Sequence, residues 1–222
     1  MDQSLEAGLA RGLAAGEPQA FERFVEHFRS KIFHYSWLMC GRPDDAEEVA
    51  QETLLKVFQN LDQLRDPDRV RAWVFRIARN ACLMQRRKSV FAPSHELSVD
   101  DLPPSSEIED SADRPDEELR RAEVRAVLDL VIAELPPDYR SVVLLRDLEE
   151  LSTEETAQIL ELSTDAVKTR LHRARAAMRP KLDCYLNNHC IDVQPIASPA
   201  PLSQSAWDDL RDAWRGAASR RG

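Results

Sequence analysis

Glycine is scarce in this chain of 222 residues, six in all, and aromatic side chains make up only 6% of it. Few glycines and little alternation of apolar with polar residues leave sheets and hairpins without their usual material. The recurrent three- and four-residue spacing of apolar positions instead predicts an all-α chain of two small helical domains. No apolar run approaches the length that crosses a bilayer, and the first residues, MDQSLEAGLARGLAAGEPQ, lack the apolar core of a secretory signal. A cytoplasmic protein without membrane insertion is therefore expected. The four cysteines, Cys40, Cys82, Cys184 and Cys190, form no CxxC pair, so reduced thiols are expected. A phosphate loop, a nucleophile triad and paired carboxylates in an apolar setting are also missing. An enzyme is not expected, nor a cofactor.

A surplus of positive charge is lacking too: 30 cations stand against 39 anions, a net of −9. This argues against a nucleic-acid partner only until the distribution is considered. Between Glu96 and Glu118 lie ten acids and a single base, Arg114, so this one segment holds the whole net charge. It also carries Pro103, Pro104, Ser105, Ser106 and Pro115, and too few large apolar residues to offset its ordering entropy. It is expected to be a flexible linker over residues 89–118. It divides an N-terminal segment (1–17) and a first domain (18–88) from a second domain (119–185) and a C-terminal extension (186–222).

The most informative stretch is STEETAQILELSTDAVKTRLHRAR, residues 152–175. Ser152 with Glu155 makes a capping box that opens one short helix. After Glu161 and Leu162, Ser163 is placed to cap a second, in which Thr164, Val167, Leu171, Ala174 and Met178 form one apolar stripe. Asp165, Lys168, Thr169, His172 and Arg173 project from the opposite side. Two capped helices about a tight turn predict a helix-turn-helix. From Thr164 to Lys181, Lys168, Arg170, Arg173, Arg175, Arg179 and Lys181 oppose only Asp165, about +5 toward a polyanion. A solvated basic helix is the plain alternative; caps, turn and stripe together favour DNA.

In the first domain, DDAEEVAQETLLKVFQNL predicts an amphipathic helix that buries Ala46, Val49, Ala50, Thr53, Leu54, Val57, Phe58 and Leu61. Its other face carries Asp45, Glu48, Gln51, Glu52 and Leu55. Such a face is often mere solvent coating, but beside a DNA-reading element it suggests a protein partner. Beyond a loop at residues 62–70, RAWVFRIARNACLMQRRK holds six cations and no acid. Trp73, Arg76 and Asn80 share one edge there, a mixture suited to single-stranded or melted DNA. The plain alternative is that Trp73 and Ile77 are core, with arginines snorkelling at the rim.

Taken together, DDAEEVAQETLLKVF, RAWVFRIARNACL and LPPDYRSVVLLRDLEELSTEETAQILELSTDAVKTRLHRAR resemble the bacterial extracytoplasmic-function sigma factors of RNA polymerase, over about residues 18–185. The resemblance implies transcription initiation and its regulation: residues 18–88 would bind core RNA polymerase and the minus-10 element, and residues 119–185 the minus-35 element. Asp45, Glu48, Gln51 and Glu52 correspond to the polymerase-docking face. The loop with Leu64, and the helix with Trp73, Arg76, Arg79 and Asn80, match the part that captures an extruded base. Arg140, Asp165, Lys168, Thr169, His172 and Arg173 match minus-35 contacts, with Lys168 and Arg173 foremost. An anti-sigma factor is a further implied partner. The rival reading is a stand-alone, dimeric helix-turn-helix regulator, which would need a dimerisation face and has no use for a second DNA-like element.

Two positions depart from the family pattern. Glu150 and Glu161 stand where glycine is usual, which foretells a strained or rebuilt turn at each. In the extension, Trp207, Leu210 and Trp214 recur at helical spacing and are expected to pack on the parent domain. Cys184, His189 and Cys190 are weak candidates for a metal or a redox site.

Overall fold

The computed structural model describes residues 2–17, 19–90, 115–188 and 203–219. Every regular element among them is helical, so the all-α expectation holds. The chain divides into two compact units, the first formed by Met1–Ser94 with Pro199–Gly222 and the second by His95–Ser198.

The first unit contains α1 (Asp2–Ala15), α2 (Ala20–Cys40), α3 (Pro43–Gln59), α4 (Val70–Val90) and α9 (Gln204–Ser219). Helix α2 stops at Gly41, whose left-handed backbone (φ 79°) lets its N–H reach the Trp37 carbonyl at 2.7 Å. Pro43 then opens α3, with Asp44 and Asp45 in the first turn and Lys56 in the last, the order that complements the helix dipole. All eight residues assigned to the apolar face of α3 and its continuation are buried. Among them Phe58 meets Phe21 and Phe24 of α2, with ring centroids 4.9 and 5.8 Å apart. Phe75 of α4 is wholly buried against Tyr35, which makes it a core residue.

The extension does not pack where expected. Helix α9 lies on the first unit, against α3 and the α1–α2 junction, and not on the domain that precedes it in sequence. Trp214 stacks on Phe21 at 5.3 Å while Trp207 meets the same ring edge-on at 6.0 Å. The Trp214 indole N–H donates to the Leu13 carbonyl (3.4 Å), and Arg211 reaches Glu22 (3.4 Å). The stripe of Trp207, Leu210 and Trp214 is thus a docking face, but its seat lies nearly 200 residues upstream.

The second unit contains α5 (Pro115–Ala133), α6 (Pro137–Val143), α7 (Thr153–Leu160) and α8 (Thr164–Asn188), with a π-helical turn, Leu144–Leu148, closing α6. Helix α4 continues to Val90 and α5 begins at Pro115, so both ends of the stretch assigned to a linker are helical. Its centre, residues 91–114, lies outside the described residues. No helix among the described residues is long and apolar enough to cross a membrane.

Candidate nucleic-acid and polymerase interface

The helix-turn-helix forms as its caps dictate. Ser152 Oγ accepts from Glu155 N (3.1 Å) and Glu155 Oε2 accepts from Ser152 N (2.9 Å), so the reciprocal box is complete. Ser163 Oγ accepts from Ala166 N at 3.2 Å and starts α8. Between them Glu161 takes the left-handed conformation (φ 58°) and the Leu162 N–H returns to the Ala157 carbonyl at 2.9 Å. Glu150 is left-handed as well (φ 53°). Both turns therefore keep the geometry that glycine adopts freely, and two glutamates carry its steric cost.

Along α8, Val167, Leu171, Ala174 and Met178 are buried, while Asp165, Lys168, Thr169, His172 and Arg173 are all exposed. Spaced at intervals of three and four, these five form one continuous face. The cations of this helix are less uniform than their sum of about +5 suggested. Arg170 is paired with Asp138 (3.2 Å), Arg175 is held by both oxygens of Asp147 (3.0 and 2.5 Å), and Lys181 pairs with Glu134. Those three brace α8 against its own unit. Lys168 has Asp165 near it at 3.8 Å, with both side chains exposed, and Arg173 stands exposed beside them. Lys168 and Arg173 thus stand exposed on the outward face, and Arg179 is exposed further along the same helix. Arg140 is placed differently: half-buried, it donates to the carbonyls of Ala133 and Leu135 and so braces the α5–α6 turn.

In the first unit, the edge of α4 presents Arg76 and Asn80 exposed and Trp73 half-buried, with Arg79 donating to Asn80 Oδ1 at 3.5 Å. Leu64 is half-buried in the loop before it. That loop contains a 3-10 turn, Pro67–Arg69, which the Asp66 carboxylate caps by accepting from Asp68 N (3.0 Å). Of the six cations counted on this helix, Arg71 faces inward and is buried.

On α3, Glu48 is exposed, and Asp45, Gln51 and Glu52 are half-buried. Buried Gln85 of α4 donates its amide N–H groups to Asp45 Oδ1 (2.9 Å) and Glu48 Oε2 (3.0 Å), while Glu52 pairs with Lys56 (2.7 Å). Gln85 fixes the orientation of two carboxylates on the acidic face. Sequence reasoning missed it, because a partner 40 and 37 positions away leaves no local trace.

A second feature escaped it as well. Glu6 of α1 is buried, and accepts from His27 (2.8 Å) and Lys31 (2.9 Å) on one oxygen and from Arg71 (2.6 Å) on the other. Burial acts to raise its pKa, but the hydrogen bonds from His27, Arg71 and Lys31 outweigh it and hold the carboxyl at about 2. Cys40 and Cys82 are free thiols, as expected, whereas Cys184 is disulfide-bonded, which corrects the expectation of a reduced thiol there. His189 and Cys190 lie outside the described residues.

Residues 24–90 match the family model described as Sigma-70 region 2, and residues 125–178 the one described as Sigma-70, region 4. The chain is 30% identical over 173 residues to the RNA polymerase sigma-E factor of Streptomyces avermitilis, an alignment covering 77% of this chain and 89% of that one. It is 29% identical over 170 residues to the ECF RNA polymerase sigma factor SigW of Bacillus subtilis, covering 75% and 91%. Among solved structures it is similar to CnrH in complex with the cytosolic domain of CnrY, with a TM-score of 0.53, 27% identity, and 81% and 97% of the two chains covered. The sigma factor RpoE in complex with the anti-sigma factor NepR, from Bartonella quintana, shares the fold at a TM-score of 0.58 and 20% identity, over 74% and 98%.

Proposed function

The chain belongs to the extracytoplasmic-function sigma factors of RNA polymerase and directs promoter-specific transcription, and from that premise we propose how its residues divide the work. The stand-alone dimeric regulator is not favoured, since it gives no task to a region 2 unit. Region 2, residues 18–88, engages core polymerase through Asp45, Glu48, Gln51 and Glu52. Their hydrogen bonds to Gln85 and Lys56 hold the face in shape before it meets a basic partner. Leu64, Trp73, Arg76, Arg79 and Asn80 receive the melted minus-10 strand, where a stacked ring and phosphate-seeking cations repay the cost of extruding a base. Region 4, residues 119–185, reads the minus-35 duplex with Asp165, Lys168, Thr169, His172 and Arg173 lying along the groove. Arg140 contributes less, being engaged in the α5–α6 turn. Residues 89–118 connect the two regions.

The observation that carries this reading is the exposed face of α8, five polar residues on the second helix of a fully capped helix-turn-helix. The protein acts without catalytic residues or a cofactor of its own, in the cytoplasm where its polymerase and promoter DNA are. The solved relatives bound to CnrY and NepR support an anti-sigma protein as a further partner. Run-off transcription with core polymerase and a promoter library tests the assignment. Lys168→Ala or Arg173→Ala is expected to abolish minus-35-dependent transcripts and to lower the salt dependence of duplex binding by about one counterion each. Arg170→Ala and Arg175→Ala should instead lower the stability of the region 4 unit. Equal transcript loss from all four would mean that the outward face does not read DNA.

A further inference from the structure

Helix α1 precedes the residues that match the region 2 model, which begins at residue 24, yet it grips both the loop and the helix assigned to single-strand capture. Arg71, the second residue of α4, donates Nε to buried Glu6 of α1 at 2.6 Å. The same carboxylate takes His27 and Lys31 of α2, so one buried group joins three helices. In the turn just before α4, Asp68 is held twice from α1, its carboxylate by Arg11 (3.4 Å) and its carbonyl by Gln3 (3.5 Å). Trp73, Arg76 and Asn80 follow Arg71 within the next nine residues of a rigid helix, so whatever fixes Arg71 fixes their edge.

We propose that α1 is the positioning element of minus-10 capture: Glu6 sets the start of α4 through Arg71, while Gln3 and Arg11 hold Asp68, so that the loop meets an extruded base already in its bound shape. This rests on the assignment of residues 62–70 and Trp73, Arg76 and Asn80 to that strand. A loop that must be ordered on binding loses affinity to the entropy of ordering, and one held in place does not. The hold also confers selectivity, because a loop free to adjust accommodates a wrong base. Gln3, Glu6 and Arg11 touch no nucleotide in this scheme; they act through Asp68 and Arg71.

The test uses holoenzyme assembled from the full chain and core polymerase, with a fluorescent single-stranded oligonucleotide carrying the non-template minus-10 sequence of a promoter it transcribes. Affinity is measured for the matched oligonucleotide and for one altered at the extruded base. Arg11→Ala combined with Gln3→Ala removes only exposed contacts, so the melting temperature should hold while matched affinity falls about fivefold and the matched-to-altered ratio narrows. Glu6→Asp keeps the charge but shortens the reach to Arg71, and should narrow the ratio further. Exchanging the pair as Arg11→Asp with Asp68→Arg should restore it. Unchanged affinity and ratio in the α1 variants, or a fall in melting temperature with the ratio intact, overturns the proposal, provided that Trp73→Ala with Asn80→Ala loses the oligonucleotide. If that double variant also binds normally, it is the assignment of the strand site that fails.

Discussion

Replacing Glu161 by glycine should make the region 4 unit more stable, although the substitution removes a side chain and adds freedom to the unfolded chain. At φ 58° an L-residue is held in the left-handed region, at a cost of about 1–2 kcal/mol. Glycine relieves that cost but loses about 0.5–1 kcal/mol through its wider unfolded ensemble. The backbone bonds that close the turn, to the Ala157 carbonyl, need no side chain and persist. Glu161 also stands just before α8, where a carboxylate favours the helix N-terminus by about 0.3–1 kcal/mol. The net gain at Glu161 is therefore small, about 0.5 kcal/mol or less. Glu150 (φ 53°) stands three residues before α7, just as Glu161 stands three before α8, so the same discount applies and the gain there is also about 0.5 kcal/mol or less. For a domain of this size that is a rise of about 2–4 °C or less at either position. Calorimetry on the full chain is the assay, with the region 2 transition as an internal reference. Glu150→Ala and Glu161→Ala are the controls: they discard the charge but keep the Cβ, and should not raise the transition. Should glycine and alanine shift it alike, backbone strain is not what these turns carry.

Glu6 makes the region 2 unit acid-sensitive. Its folded pKa of about 2 lies below the ordinary 4.5, so its stabilising contribution is complete above pH 4.5 and is lost as the pH falls from there toward 2. The difference is worth about 3 kcal/mol, and Glu6→Gln should flatten the stability of this unit across that window while lowering it at pH 7; urea melts at a series of pH values check both. Removing α9, by ending the chain before Ser203, bares Phe21 and Leu13, which are wholly buried in the intact protein. The region 2 transition should fall by about 2–4 kcal/mol with region 4 unmoved, and a fall in region 4 alone would contradict the docking of α9.

The parts of this architecture that could be read from sequence are those made by near neighbours. The Ser152–Glu155 box and the Ser163 cap each span three residues, and the buried faces of α3 and α8 repeat within a few turns. The special backbone at Glu150 and Glu161 was legible only because a glycine is usual there, and the structure shows the positive φ at both. Contacts between distant positions left no such mark. Arg170 and Arg175 belong to the same basic run as Lys168 and Arg173, yet ion pairs with Asp138 and Asp147 tie them to their own unit. Arg71 stands in a run of six cations, and only the fold shows that Glu6, 65 positions away, holds it inside. The stripe on α9 announced a docking face; its destination depended on an aromatic surface around Phe21 that no periodicity in residues 203–219 describes.

The return of α9 to the region 2 unit gives the chain the topology of an insertion, with region 4 suspended between two segments of one host body. A protease cut within residues 91–114 would therefore not sever the protein into independent halves, since the downstream fragment would still be moored by Trp207 and Trp214. A cut between α8 and α9 would leave a single long piece and a short peptide retained on its surface. The molecule tolerates one scission at either place without parting company with itself; only two, or a cut within residues 91–114 together with the loss of the tryptophan anchor, would release the region 4 unit from the region 2 unit.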